Sequence, residues 1–228
     1  MLRKTFEQEI QQLKDDILIL GSMVEQSLLE AVEALKKRDL VSAQKTVDRD
    51  KEINQKRYAI ENQVMISIAT QQPMARDLRL LASILEVASE IERMGDYAKG
   101  IAIINQRMGN EQLLKPLVDV PRMAQICADT LHRSLTAFVN EDVDAAREIP
   151  KEDDRVDELY TQVYRELITY IIQEPKNIER ANWLLWVAHN LERFSDRVAN
   201  ICERTIFVAT GELRELSSST DELELHDG

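Results

Sequence analysis

EIERMGD, residues 90–96, returns one hundred positions later as NLERFSD, residues 190–196. Each word sets a glutamate and an aspartate four apart, Glu92 with Asp96 and Glu192 with Asp196. A helix advances about 100° per residue, so that spacing puts both carboxylates on one side of it. Leu81, Leu85 and Ala88 define the apolar stripe of the first helix, and Leu185, Ala188 and Ala199 that of the second. The acids continue each stripe and should face inward or lie at its edge. Like charges four apart repel on a helix. A carboxylate at low dielectric must moreover be hydrogen-bonded, ion-paired, protonated or bound to a metal.

The surrounding sequence matches as well. LVSAQKTVDRDKEIN (40–54) pairs with VDAAREIPKEDDRVD (143–157) at an offset of 103, and QQP (71–73) pairs with QEP (173–175). Apolar residues recur at three and four along nearly the whole chain, which predicts six helices. The first runs from about Thr5 to Lys37, and the second from an Asp39 cap to about Gln72. Pro73 can start the third, at the position where a missing N–H costs nothing, and it runs to about Met108. Pro116 and Pro121 flank the start of the fourth, which ends near Asn140; the fifth spans about Asp142 to Gln173 with Pro150 as the place for a kink. Pro175 opens the sixth, which ends near Gly211, a residue suited to the left-handed position after a helix.

The fold class read from this pattern is all-α: two tandem, sequence-related three-helix bundles in a pseudo-twofold duplication. They occupy residues 1–110 and 111–211. Residues 212–228 are expected to form an acidic, disordered tail, with six acids and one arginine from Gly211 onward.

Composition narrows the function. The chain has 228 residues, 44% apolar and 5% aromatic, and 41 acidic against 29 basic residues give a net charge of −12. That charge opposes binding to nucleic acid, whose affinity comes from Lys and Arg on phosphates. The longest apolar runs, such as WLLWVA at 183–188, fall far below the ~20 residues that span a bilayer. The opening MLRKTFEQEIQQL lacks the apolar core of a secretory signal. A cytoplasmic location without membrane insertion is expected. Cys127 and Cys202 lack CxxC spacing and read as reduced core thiols. Trp183 and Trp186 read as core packing, with a partner-facing anchor as the alternative.

The middle helices carry acids too. Asp50, Asn54 and Glu61 share a face with Val64 and Ile68, and Asp153 and Asp157 share one with Tyr160, Tyr164, Leu167 and Ile171. With the middle and last helices as antiparallel neighbours, Asp50 and Asn54 meet Glu92 and Asp96, and Asp153 and Asp157 meet Glu192 and Asp196. Either arginines (Arg57, Arg76, Arg79 and Arg93; Arg155, Arg180, Arg193 and Arg197) or a multivalent cation can supply the counter-charge. All-oxygen donor sets suit Mg, Ca, Mn or iron.

QQPMARDLRLL with IERMGDYAKGIA, and EDDRVDELY with NLERFSDRVANI, make the chain resemble the PhoU family from about residue 15 to 210. These are accessory and regulatory proteins of bacterial phosphate-specific transport. The resemblance implies two similar bundles whose paired acids bind iron, zinc or another divalent cation, and no organic cofactor. It thereby implies metal roles for Glu92, Asp96, Asp153, Asp157, Glu192 and Asp196, and for Asp50. Asn54 stands where a carboxylate is expected, which makes the first site the poorer one. The implied function is regulation of phosphate uptake and of the phosphate-starvation response. Its partners would be the cytoplasmic parts of a phosphate ABC transporter and a sensor histidine kinase.

The net negative charge suits the Lys- and Arg-rich cytoplasmic faces of membrane proteins. No Gly-rich cradle or basic cluster for free phosphate is visible. No residues stand in a catalytic arrangement, and a non-enzyme is expected. A ferritin-like di-iron oxidase is the competing enzyme reading, but it needs Glu-x-x-His, and His189 precedes Glu192 in the reverse order. A helical scaffold with filled salt bridges and no metal is the third reading. No sequence feature decides the oligomeric state, and a homodimer stays open.

Overall fold

A computed structural model of the chain describes residues 2–109, 111–213 and 215–216, and these form helices and connections with no strand among them. The long helices of the first half are α1 (Leu2–Lys37), α2 (Leu40–Gln71) and α3 (Arg76–Arg107). The second half holds α4 (Asp119–Asn140), α5 (Val143–Glu148), α6 (Asp153–Gln173) and α7 (Ile178–Thr210). Along α1, residues Leu13, Ile17, Leu20, Val24, Leu28, Ala31 and Leu35 are fully buried. Their spacing of three and four is why this segment is a helix with one core-facing stripe.

The punctuation differs from expectation at three places. Arg38 takes φ 58° and closes α1, and the Asp39 carboxylate then accepts from the Val41 and Ser42 amides at 3.0 Å to start α2, as expected. The third helix begins at Arg76 rather than Pro73. Gln72 ends α2 in the left-handed region, and Ala75 has φ 50°, so the chain makes an irregular turn before it can wind again. Pro150 does more than kink the fifth helix. It lies in a 3-10 turn, Ile149–Glu152, that separates α5 from α6, because its ring obstructs the preceding turn and it has no N–H to donate. Pro175 likewise opens a short 3-10 turn before α7. The segment read as a disordered tail lies mostly outside the described residues.

The halves join through two antiparallel pairs. In α3 and α7, Glu86 pairs with Arg204, Glu90 accepts from Asn200 at 2.9 Å, and Gly100 lies against Asn190. The midpoint of this pair therefore falls at Gly95 and Ser195, inside the two repeated words. In α1 and α4, His132 stands 3.4 Å from Glu25, and Lys14 donates to the Val139 carbonyl at 2.7 Å. One apolar cluster runs through both halves. Among the described residues, α2 and α6 stand outside, each touching only elements of its own half. Arg38 ties the connection between halves to the α1–α2 turn, donating to the Gly109 and Glu111 carbonyls at 2.7 and 3.2 Å. Cys127 and Cys202 are buried free thiols, as read.

Candidate functional site

Each half carries one acid seam, between α2 and α3 in the first and between α6 and α7 in the second. The two seams are charged differently.

In the first seam Asp50 is 6% exposed. Its Oδ2 accepts from the Lys99 ammonium at 2.7 Å and from Asn54 Nδ2 at 3.2 Å, while Oδ1 has no donor. Lys99 also stands 3.6 Å from Asp96 Oδ1. The Asp50 contact, ahead of its other neighbours, raises the pKa of Lys99 and holds it charged. Asp96 is not on the inner face: its side chain is 53% exposed at the rim. Glu92 is partly buried, and its carboxyl is pushed up by burial first and by Asp96 and Asp50 next, against the pull of Arg57 and Arg93.

The second seam has no lysine. Burial pushes Asp153 up to about 6, with Asp157, Asp196 and Asp154 adding to it and the Ser195 hydroxyl opposing it. Burial pushes Glu192 up to about 7, with Asp196, Asp157 and Asp153 adding and Arg193 opposing. Asp157 is raised as well, by burial and then by Asp196. The Tyr160 phenol is raised by burial and then by Glu192, which places it beside the same carboxylate. Asp153 Oδ1 and Glu192 Oε2 are buried and accept no hydrogen bond. Glu192 Oε2 lies 3.4 Å from His189 Nδ1, an imidazole that burial and then Arg193 push toward its neutral form, and 3.5 Å from Arg193 Nε, and Arg193 also reaches Asp196 at 3.1 Å. Carbon-detected NMR of the metal-free protein should show Glu192 titrating near 7 and Asp153 near 6. Midpoints in the ordinary carboxylate range would mean that the seam is open to water.

Most of the arginines considered as counter-charges work elsewhere. Arg76 pairs with Glu141, Arg197 with Glu90, Arg155 with Glu152 and Arg93 with Glu90. Arg79 and Arg180 donate to the carbonyls of Val208 and Gln112. Arg57 bridges to Glu61 at 3.4 Å and bears on Glu92 through space, and only Arg193 contacts the repeated acids directly. Lys99 was missed because a lysine three residues past Asp96 reads as an ordinary surface base. Trp183 packs against the core as expected, but Trp186 is 54% exposed and carries His189 edge-on at 5.8 Å. His189 is thus engaged with the ring of Trp186 and the carboxylate of Glu192.

The two seams differ in how well they suit a cation. Among the described residues no three His, Cys, Asp or Glu side chains are gathered closely enough to hold an ion as they stand. In the second seam, Asp153, Asp157, Glu192 and Asp196 are mutually repelling oxygen donors, and two of their buried oxygens lack partners. That set fits a hard or borderline divalent cation once side chains turn toward it. The first seam fits poorly: Lys99 and Asn54 both point donors at the oxygen a metal would need. No described helix is long and apolar enough to cross a membrane.

A family model described as the PhoU domain matches residues 17–104 and again 120–205. The chain is 34% identical over 218 residues, 95% of its length, to the whole of a phosphate-specific transport system accessory protein PhoU homolog from Clostridium acetobutylicum. It is 32% identical to phosphate-specific transport system accessory protein PhoU of Escherichia coli K12, covering 91% of this chain and 86% of that protein. The crystal structure of the phosphate transport system regulatory protein PhoU from Streptococcus pneumoniae matches 92% of this chain and 100% of its own, with a TM-score of 0.85 at 32% identity.

Proposed function

The chain belongs to the PhoU family, and from that premise we propose that it is a regulator of phosphate uptake and of the phosphate-starvation response. It acts in the cytoplasm without catalysing a reaction, and couples a phosphate ABC transporter to a sensor histidine kinase. The observation that carries the accessory role is the similarity along nearly the whole chain to accessory proteins of phosphate-specific transport.

The second seam gives that role a responsive element. Asp153 and Asp157 on α6, with Glu192 and Asp196 on α7, would hold iron, zinc or another divalent cation, which would supply the positive charge this seam lacks. Arg193 steadies Asp196 from the solvent side, and the Ser195 hydroxyl lowers the cost of ionising Asp153. Screening of four carboxylates draws α6 and α7 together. α6 is an outer helix that contacts only its own half, so its position can change without breaking the contacts between halves.

The test is retention of the purified transporter and of the kinase's cytoplasmic portion on immobilised protein, comparing the wild type with Glu192→Gln/Asp196→Asn. The wild type should retain both partners, and the variant should retain less of at least one. If neither is retained by the wild type with phosphate and Mn²⁺ present, the coupling role is wrong. If both are retained equally by the variant, the seam has no part in it.

A further inference from the structure

The duplication allows the two seams to be compared position by position, because the repeated words lie one hundred residues apart and so make residue 199 the equivalent of residue 99. Residue 99 is the decisive difference. Lys99 reaches from α3 to α2, 2.7 Å from Asp50 Oδ2 and 3.6 Å from Asp96 Oδ1. Asn54 turns its amide nitrogen to the same Asp50 oxygen. At the matching positions of the second half stand Ala199 and Asp157. Ala199 lies on the wall of a small cleft with Asp153, Ser195, Thr130 and Ile149, and Asp153 Oδ1 is buried without a hydrogen-bond partner.

We propose that the Lys99 ammonium is the resident cation of the first half, holding the place between Asp50 and Asp96 that a divalent ion would take, so that the chain binds such an ion in its second half only. The location of the ion rests on the reading of the second seam given above; the role of Lys99 does not. An ammonium and a metal ion compete for one carboxylate oxygen, because the two positive charges repel across it. A divalent cation sits about 2.0–2.6 Å from its oxygen ligands, and at that distance from Asp50 Oδ2 it would meet the charge of Lys99 across the same oxygen. Asp50 Oδ1 is the one buried carboxylate oxygen of this seam left without a donor. With Asp50 Oδ2 and Asp96 Oδ1 both facing the ammonium, the seam falls short of the roughly six oxygens that such ions take. The first half is thus neutralised once, when the chain folds, and only the second half is left to follow the ion supply.

The experiment counts Mn²⁺ bound to the full chain, from the electron paramagnetic resonance signal of the free ion, with circular dichroism verifying that each variant is folded. Lys99→Ala/Asn54→Asp, which copies the second half into the first, should bind about one equivalent more than the wild type, and adding Asp50→Asn should remove the gain. Lys99→Gln/Asn54→Asp replaces that variant should the alanine form not fold. Ala199→Lys should bind less than the wild type. A folded Lys99 double variant with no gain overturns the proposal, as does a wild type whose Mn²⁺ is lost on Asp50→Asn alone. A wild type that binds none, with a double variant that does, supports the role of Lys99 and sinks the reading of the second seam.

Discussion

Phe194→Ala is expected to cost about 3–5 kcal/mol of folding stability, seen as a lowered urea midpoint with an unchanged slope. Phe194 sits in the middle of the second repeated word, fully buried and among the largest side chains in the core. Its counterpart Met94 is also fully buried. Truncation removes the transfer energy of the ring and leaves a cavity that helices joined across two antiparallel pairs can close only in part. The neighbouring Arg193→Ala is the control. Arg193 is 47% exposed, and surface ion pairs contribute roughly 0–1 kcal/mol. A loss at Phe194 no greater than at Arg193 would show that the helix is rotated from the orientation described.

Glu192→Gln is expected to act in the opposite direction and make the metal-free protein more stable at about pH 8. Folding pushes the Glu192 carboxyl up to about 7, so the folded chain holds this proton more tightly than the unfolded chain. The group therefore favours the fold at low pH, and that contribution is lost as the pH rises through about 7. Above that point Glu192 is ionised beside Asp153, Asp157 and Asp196, and an amide removes the repulsion. The gain should be on the order of 1–2 kcal/mol, since each tenfold in proton affinity is about 1.4 kcal/mol and partial solvation reduces the sum. At about pH 4, below the ordinary glutamate value, the carboxyl is mostly protonated in both states and the gain should nearly vanish. Denaturant midpoints at both pH values decide it; a variant less stable at the higher pH would mean that Glu192 is satisfied by its neighbours. Stability given up at a binding seam is what a functional site is expected to show.

The helices and the duplication could be read in the sequence because apolar periodicity and matching proline and ERxxD words are local signals. The start of α3 at Arg76 could not, because it depends on Gln72 and Ala75 taking left-handed backbone angles that no residue type announces. The pairing of α2 acids with α3 acids and of α6 acids with α7 acids could be read from the spacing, but their separate environments could not. Asp96 continues the apolar stripe of α3 and Asp50 that of α2 by periodicity, yet one is half exposed and the other buried, because burial depends on how far the two helices cover each other. The partners of Lys99 and of the arginines could not be read from the sequence for the same reason. A long cationic side chain can reach several helices, and which one it reaches is settled by the packing of the halves, about which periodicity is silent. Trp186 lies outside the core because α7 is amphipathic even where its sequence is at its most apolar.

The antiparallel α3–α7 contact, centred on Gly95 and Ser195, presents equivalent surfaces from each half to the other. Such an isologous interface is closed: once formed it offers no further copy of itself. Two separate copies of an ancestral half could have paired in this way as a homodimer, and joining them end to end would keep the contact while freeing each half to diverge. The exchange of lysine for alanine between positions 99 and 199 is a difference that an obligate homodimer of identical chains could never acquire.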